Sequence, residues 1–265
     1  MPAMLGKLPA KSDSRTLRFG SYLMHDVGRL ARAVDYTRAV PSADRRPWLA
    51  NNRFPCCTCS AAGHMIAVWT ANTGKTRIVP DSAIVRAYRL FVGDVHKPHK
   101  HMINVLNYWR QSGIGGDRIL AYAQLTPRDV VEAKLTIELF GACYIGLSLP
   151  NFAVIPGNLD HVRNTPWTKS LKKESDGARP QRRNGHTVAA VKYDAKNLYV
   201  VTWGILKPMS WEFYETYCEE AYAVLSKDFI DGKYERTPAG FDLAALARDL
   251  RHISESKTVS SRRLP

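Results

Sequence analysis

The 265-residue sequence has no run of 18 consecutive apolar residues, and its opening MPAMLGKLPAKSDSRTLRF holds no apolar stretch of the length a secretion signal needs. A membrane-spanning helix and a cleaved leader are therefore not expected; the expectation is a soluble protein made in a cytoplasm. Cysteine is scarce and oddly placed. Five are present, Cys56, Cys57, Cys59, Cys143 and Cys218, with no spaced framework, so free thiols in a reducing compartment fit better than structural bridges. No second ligand pair follows CCTC at the spacing a zinc knuckle requires, and three cysteines within four positions are too crowded to hold one ion without strain. GIGGD, Gly113 to Asp117, lacks the lysine and the following Ser/Thr of a phosphate loop, and reads as a helix stop and turn. No period of 20 to 50 residues recurs, which excludes a solenoid.

Acidic residues are also few, 24 against 38 Lys and Arg, and the net charge is +14. The excess is concentrated. Residues 1–46 carry nine Lys/Arg against four acids, residues 161–183 seven against two, and residues 254–265 three against one, leaving a nearly neutral body. Basic, low-apolar segments on a neutral body suit either simple solvation or arms that lie on an acidic partner, a protein surface or nucleic acid. The segments lack the regular aromatic interleaving of a single-strand nucleic-acid binder, so nucleic acid ranks behind protein.

What is present is enough for a core: 45% of residues are apolar. Residues 1–46 have scattered apolar positions without a sustained period, which predicts an extended arm with at most a short helix. Helical spacing marks CSAAGHMIAVWTAN (59–72), SAIVRAYRLFVG capped by Asp81 or Ser82, MINVLNYWRQSG, and PRDVVEAKLTIELFG with Val131, Leu135 and Leu139 inward. RILAYAQL reads as a strand, and ACYIGLSLP, HTVAAVKYD and NLYVVTWG follow as strands separated by turn residues. WEFYETYCEEAYAVLS supplies a helix and another strand, and FDLAALARDLRHI a last helix. Helices first and strands later, the strands joined by tight turns, give an α+β fold with an antiparallel sheet.

Two features carry chemistry. A cysteine at the front of the helix beginning near Thr58 sits among unsatisfied N–H groups that favour thiolate over thiol. His186, in NGHTVAAVKYD, stands at the first residue of a strand, where an imidazole borders a cleft. Other histidines read more plainly: His64 as a helix histidine, and His96, His99 and His101 as a solvated loop. Cys143 and Cys218 read as packing thiols, and Trp203 as a core or cleft-wall aromatic.

An early helix-borne Cys, a late strand-borne His and a Trp-Gly after the next strand resemble the order of papain-like cysteine peptidases. NGHTVAAVKYD and LYVVTWG look like that family's Gly-His and Asn-Ser-Trp-Gly strands, and CCTCSAAG like its nucleophile helix. The chain is similar over nearly its full length to papain-like proteins encoded by bacteriophages of actinobacteria and by some bacterial genomes. The matching blocks are LGKLPA, NNRFPCC, AAGH, YWRQSGIGG, LFGACYIG, NGH, VTWG and GFDLAAL. The resemblance implies Cys57 as nucleophile, His186 as base, and Asn51, six residues before Cys57, as an amide donor to the oxyanion. A competing register makes Cys59 the nucleophile but places Arg53 at the amide position. The group's Gly-Asp before its cysteine is replaced by Pro55-Cys56. The family's His-orienting Asn falls at Val201 or Thr202, of which only Thr202 has a hydroxyl to offer, while Asp194 serves only if its hairpin folds back.

The resemblance divides the chain into a basic arm (1–46), a papain-like domain (47–253) and a basic tail (254–265). Within the domain a helical half spans about 47–140 and a β half about 141–253, with a basic loop at 156–184. It implies amide-bond hydrolysis of a protein or peptide by Cys57 and His186, with no metal or organic cofactor. The rival expectation is a weakly active or inactive virion component, associated with capsid or tail, that binds phage structural proteins through residues 1–46 and 161–183. Its places are then the host cytoplasm and the virion.

Overall fold

The computed structural model describes residues 4–14, 16–23, 30–41, 47–90, 100–154, 158–168, 176–226 and 229. Within them the elements run β1 (Val34–Asp35), α1 (Cys57–Asn72), α2 (Asp81–Arg89), α3 (Met102–Gln111), β2 (Ile119–Gln124), α4 (Val130–Phe140), β3 (Cys143–Ser148), α5 (Leu159–Asn164), β4 (Gly185–Tyr193), β5 (Asn197–Thr202), β6 (Ile205–Ser210), α6 (Trp211–Tyr217) and β7 (Cys218–Ser226). Helices dominate the first half and strands the second, the α+β arrangement that the periodicities predict. The strands form one antiparallel sheet in the order β2-β7-β3-β4-β5-β6, with β1 added on β4.

Helix α1 is buried on all sides: every residue from Cys57 to Thr70 is covered. A helix apolar around its circumference belongs at the centre of a molecule, and the small residues Ala61, Ala62, Gly63 and Ala67 allow that closeness. Several of its polar groups, and of those facing it, are matched. Ser60 Oγ donates to the Leu49 carbonyl at 2.8 Å, Trp69 Nε1 donates to Phe140 O at 2.7 Å, and Tyr144 Oη donates to Thr58 O at 2.7 Å. The helix packs most extensively on β4, so the central element of the helical half abuts the strand that opens Gly185-His186.

Two hairpins set the far side of the sheet. Between β4 and β5, the Asp194 carboxylate accepts from the backbone N–H of Lys196 and Asn197, both at 2.8 Å, the local side-chain bonding that makes Asp a turn residue. Between β5 and β6, Trp203 (φ 43°) and Gly204 (φ 73°) both take left-handed backbone. A two-residue hairpin with positive φ at both centres matches the twist of its strands, and it fixes Trp203 at the end of β5.

Several expectations are corrected. ILKPMS, to which the periodicities assigned no element, is a strand, β6; it is the last strand in the sheet, where the missing N–H of Pro208 breaks no ladder. Helix α4 begins at Val130 with Asp129 as its cap, accepting from Glu132 N at 2.9 Å, rather than at Pro127. Its inward side holds Leu135 and Leu139, while Val131 is 55% exposed. Asp81 is the first residue of α2 and Pro80 precedes it as the cap. The described parts of residues 1–46 lie against the body instead of extending from it: Phe19 packs edge-on to Phe140, Tyr36 Oη donates to Glu138 O at 2.6 Å, and Val34 and Asp35 pair with Tyr193 and Lys192. Apolar residues without a period still find separate slots in one core. The expected helix FDLAALARDLRHI, the tail 254–265 and His96 and His99 lie outside the described residues. Among the described residues no helix is long and apolar enough to cross a membrane.

Candidate active site

Cys57 is the first residue of α1. The chain reaches it through a turn in which two non-glycine residues, Leu49 (φ 48°) and Ala50 (φ 64°), are left-handed, a conformation that persists only where surrounding contacts enforce it. Here the enforcement is visible: Asn51 N and Phe54 N donate to Trp48 O and Ala50 O, and the Leu49 carbonyl is held by Ser60. Asn51, 3% exposed, directs its side-chain Nδ2 to the carbonyls of Phe54 (3.1 Å) and Met4 (3.3 Å).

His186 is the second residue of β4, paired with Leu147 of β3. Its Nε2 lies 2.7 Å from Thr202 Oγ1, its ring stacks on Trp203 with centroids 4.2 Å apart at 15°, and its buried Nδ1 has no hydrogen-bond partner. Thus Thr202 and Trp203, adjacent on one hairpin, hold the imidazole at one edge and one face. The packing of α1 on β4 brings the Cys57 thiol within reach of the backbone N–H of Thr187, the residue after His186. Cys56 turns instead to Ser60 Oγ (3.3 Å) and Leu49 O (3.7 Å), and Cys59 lies among Thr58, Cys56 and Lys100.

Burial decides the protonation states. It pushes the Cys57 thiol above its ordinary value, although the N–H groups of Thr187 and Gly6 and the Lys7 ammonium pull the other way. Burial raises Cys56 to about 12 and Cys59 further still, and lowers His186 to about 3. As folded here, thiol and imidazole are both neutral at pH 7.

What excludes water is the chain's own beginning. Gly6 N and Lys7 N donate to Gly185 O at 3.3 and 3.1 Å, Leu8 N donates to Lys100 O at 2.9 Å, and Lys100 N returns to Gly6 O at 3.4 Å. The Met4 carbonyl accepts from both Asn51 Nδ2 and Trp203 Nε1, each at 3.3 Å. Gly6 passes so close to the turn before α1 that a Cβ on it would stand 1.8 Å from Pro55 O, which leaves glycine alone at that position. Sequence reasoning placed LGKLPA in an arm and missed this segment, along with Thr187 and the indole N–H of Trp203. The signal available was the glycine in an otherwise apolar and basic stretch.

The remaining candidates do not enter the site. Asp194 stays in its hairpin, where Tyr199 Oη donates to it at 2.7 Å, so it does not orient His186. His64 is buried inside α1, its pKa lowered to about 3 by that burial. Cys143 and Cys218 are packed beneath the sheet's surface near Tyr222 and Tyr214. His101 Nδ1 lies 2.8 Å from Pro9 O, against the N-terminal segment. Among the described residues no three His, Cys, Asp or Glu side chains converge as a cation site.

No family model matches the sequence, and no curated protein matches it. Solved structures do. Xylellain, a cysteine protease from Xylella fastidiosa, superposes with TM-score 0.63 at 14% identity, covering 84% of this chain and 96% of that one. The proCathepsin B S9 of Trypanosoma congolense gives 0.55 at 10% identity over 85% and 87%, respectively. The digestive procathepsin L 3 of Tenebrio molitor larval midgut gives 0.54 at 11% over 82% and 76%. A likeness that covers four-fifths of the chain at so little identity is one of backbone path: the protein has the papain-like fold of these cysteine proteases.

Proposed function

We propose that this protein is a thiol peptidase-like hydrolase that cleaves an amide bond through Cys57 and His186. The observation that carries the reading is the Met4 carbonyl, a peptide oxygen held by Asn51 Nδ2 and Trp203 Nε1 beside the Cys57 helix start. Donors that hold a ground-state carbonyl there are suited to hold the oxyanion that develops from one. In the reaction His186 Nδ1, the ring nitrogen without a partner, takes the Cys57 proton. The thiolate adds to the carbonyl carbon, and the oxyanion rests on Asn51, on Trp203 and on the N–H groups at the start of α1. The C–N bond breaks as the imidazolium returns its proton to the leaving amine. Water, deprotonated by His186, then adds to the thioester, and rupture of the C–S bond frees the carboxylate and the thiol. Thr202 keeps the imidazole oriented in the place of the family's amide. The substrate class is protein or peptide.

A peptidyl electrophile tests this directly. It labels the wild-type chain, Cys57→Ala abolishes the labelling, and Cys59→Ala leaves it intact; equal slow labelling of every cysteine overturns the reading. A second reading, a virion component of phage origin that keeps the fold for binding, is favoured by Pro55-Cys56 at the nucleophile turn and by the cleft's occupation by residues 4–8. It predicts that Cys57→Ala leaves particle assembly unchanged while replacement of the basic residues in 1–46 and 161–183 abolishes incorporation.

A further inference from the structure

The N-terminal segment does more than cover the site, because one of its side chains enters a cavity of its own. Lys7 is basic, yet its side chain is 0% exposed. Its Nζ lies 2.6 Å from Glu219 Oε2 and 3.0 Å from Glu220 Oε1 and donates to Leu8 O at 2.9 Å. An ammonium has three N–H donors; two are taken by hydrogen bonds to Glu219 Oε2 and Leu8 O, and Glu220 Oε1 stands beside the charge as an ion-pair partner.

The receiving side is built by residues outside the segment. Ser148 Oγ donates to Glu219 Oε2 at 3.0 Å, and Tyr222 Oη donates to Glu220 Oε2 at 2.8 Å. Glu220 is 1% exposed, and its Oε1 has no hydrogen-bond donor, only the ion pair to Lys7. The wall is cut to the stem as well. Gly146 of β3 pairs with Glu220 of β7, and a Cβ on Gly146 would lie 2.4 Å from Lys7 Cε and 2.4 Å from Met102 Sδ. A buried carboxylate, Glu220, and a half-buried one, Glu219, facing one cavity repel each other and are costly to desolvate without a cation between them. The cavity therefore fits a lysine stem and head, and the backbone of the lysine that fills it is hydrogen-bonded to Gly185, the residue before His186.

We propose that the Glu219–Glu220 cavity is a substrate subsite that selects a lysyl side chain of an incoming peptide, and that Lys7 fills it from within the same chain until that peptide displaces it. The proposal rests on the reading of the cleft as a peptide site but not on turnover. Selectivity for lysine over arginine follows from the three-oxygen, point-charge geometry, since a planar guanidinium needs a fork of acceptors. The two glutamates are consecutive in the strand run CEEAYAVLS, where alternation turns one of them inward.

The test is binding, in full-length Lys7→Ala chain, of two acetylated hexapeptide amides, Leu-Gly-Lys-Leu-Pro-Ala and its Gln-for-Lys analogue. The lysyl peptide binds at least ~10-fold tighter by calorimetry and raises the unfolding temperature, whereas Lys7→Ala combined with Glu220→Gln binds the two alike, in keeping with the cost of a buried unpaired charge. Binding of the two peptides within about twofold, or of neither, overturns the proposal. If Lys7→Ala does not fold alone, the yield of folded chain on refolding with each peptide is compared, and equal yields overturn it. Discrimination that persists while the peptidyl electrophile fails to label Cys57 leaves the subsite standing and removes the hydrolytic reading.

Discussion

Gly6→Ala perturbs the N-terminal segment without touching a group assigned to chemistry. A methyl group at this position would sit 1.8 Å from Pro55 O and 2.5 Å from Pro55 C, both backbone atoms of the turn that sets Cys57. Neither can retreat as a side-chain end could, so the segment must lift. Lifting gives up four backbone hydrogen bonds: Gly6 N and Lys7 N to Gly185 O, Leu8 N to Lys100 O, and Lys100 N to Gly6 O. At about 0.5–1.5 kcal/mol net for each, the segment is weakened by roughly 2–6 kcal/mol if all four go. The lower part of that range is the better guide, because released groups regain water. A loss of about 3 kcal/mol raises the open population on the order of 100-fold. The assay is the rate of Cys57 alkylation by iodoacetamide, mapped by peptide mass, with Cys143 as the internal control because it is buried against Tyr222 O and takes no part in the segment's hydrogen bonds. Cys57 labelling rises roughly 100-fold in Gly6→Ala while Cys143 labelling stays unchanged. Equal labelling of Cys57 in both chains, with unchanged unfolding temperature, refutes the idea that residues 4–8 close the site.

Thr202→Val removes the hydroxyl at His186 Nε2 while keeping its size; the expected result is a stability loss of about 1–2 kcal/mol in urea and slower electrophile labelling, with Thr202→Ser recovering both. Asn51→Ala should lower the labelling rate by an amount on the order of 100-fold through loss of the carbonyl donor, and no change in rate would remove Asn51 from the oxyanion role. His64 and His186 are both held neutral, each near 3 against an ordinary 6.5. The unfolded chain binds the protons that the folded one refuses, so their stabilisation is complete above the ordinary value and is lost as pH falls toward 3, at about 1.4 kcal/mol per pH unit for each histidine. Urea midpoints between pH 7 and 4.5 measure this, and a flat profile below pH 6 would contradict both burials.

The sheet half of the fold was legible because its strands are short, alternating and separated by turn residues that bond to their own backbone, as Asp194 does. The helical half was legible from period, but faces were not: Val131 looked inward and is outward because the pattern in VVEAKLTIELF is apolar on more than one side. β6 went unassigned; its Pro208 is tolerated because a proline excludes a strand only when a neighbour needs its N–H, and sequence does not show which strand lies at an edge. Cys57 and His186 were singled out by position at a helix start and a strand start together with the resemblance to papain-like peptidases, and Asn51 by that resemblance alone. Which residue holds the imidazole was left between Thr202 and, if its hairpin folded back, Asp194, since Val201 has no group to offer, and only the meeting of β4 with β5 favours Thr202.

The residues alone determined an α+β chain with a thiol at the head of its first long helix and an imidazole at the head of a later strand. Those follow from local rules of period, turn chemistry and helix ends. The tertiary structure alone decided that Met4–Leu8 lie in the cleft and that Lys7 meets Glu219 across 212 residues of sequence. Such contacts have no period and no fixed spacing. They form because a buried carboxylate and its half-buried neighbour need a cation, and three-dimensional packing determines which of the chain's many lysines reaches them.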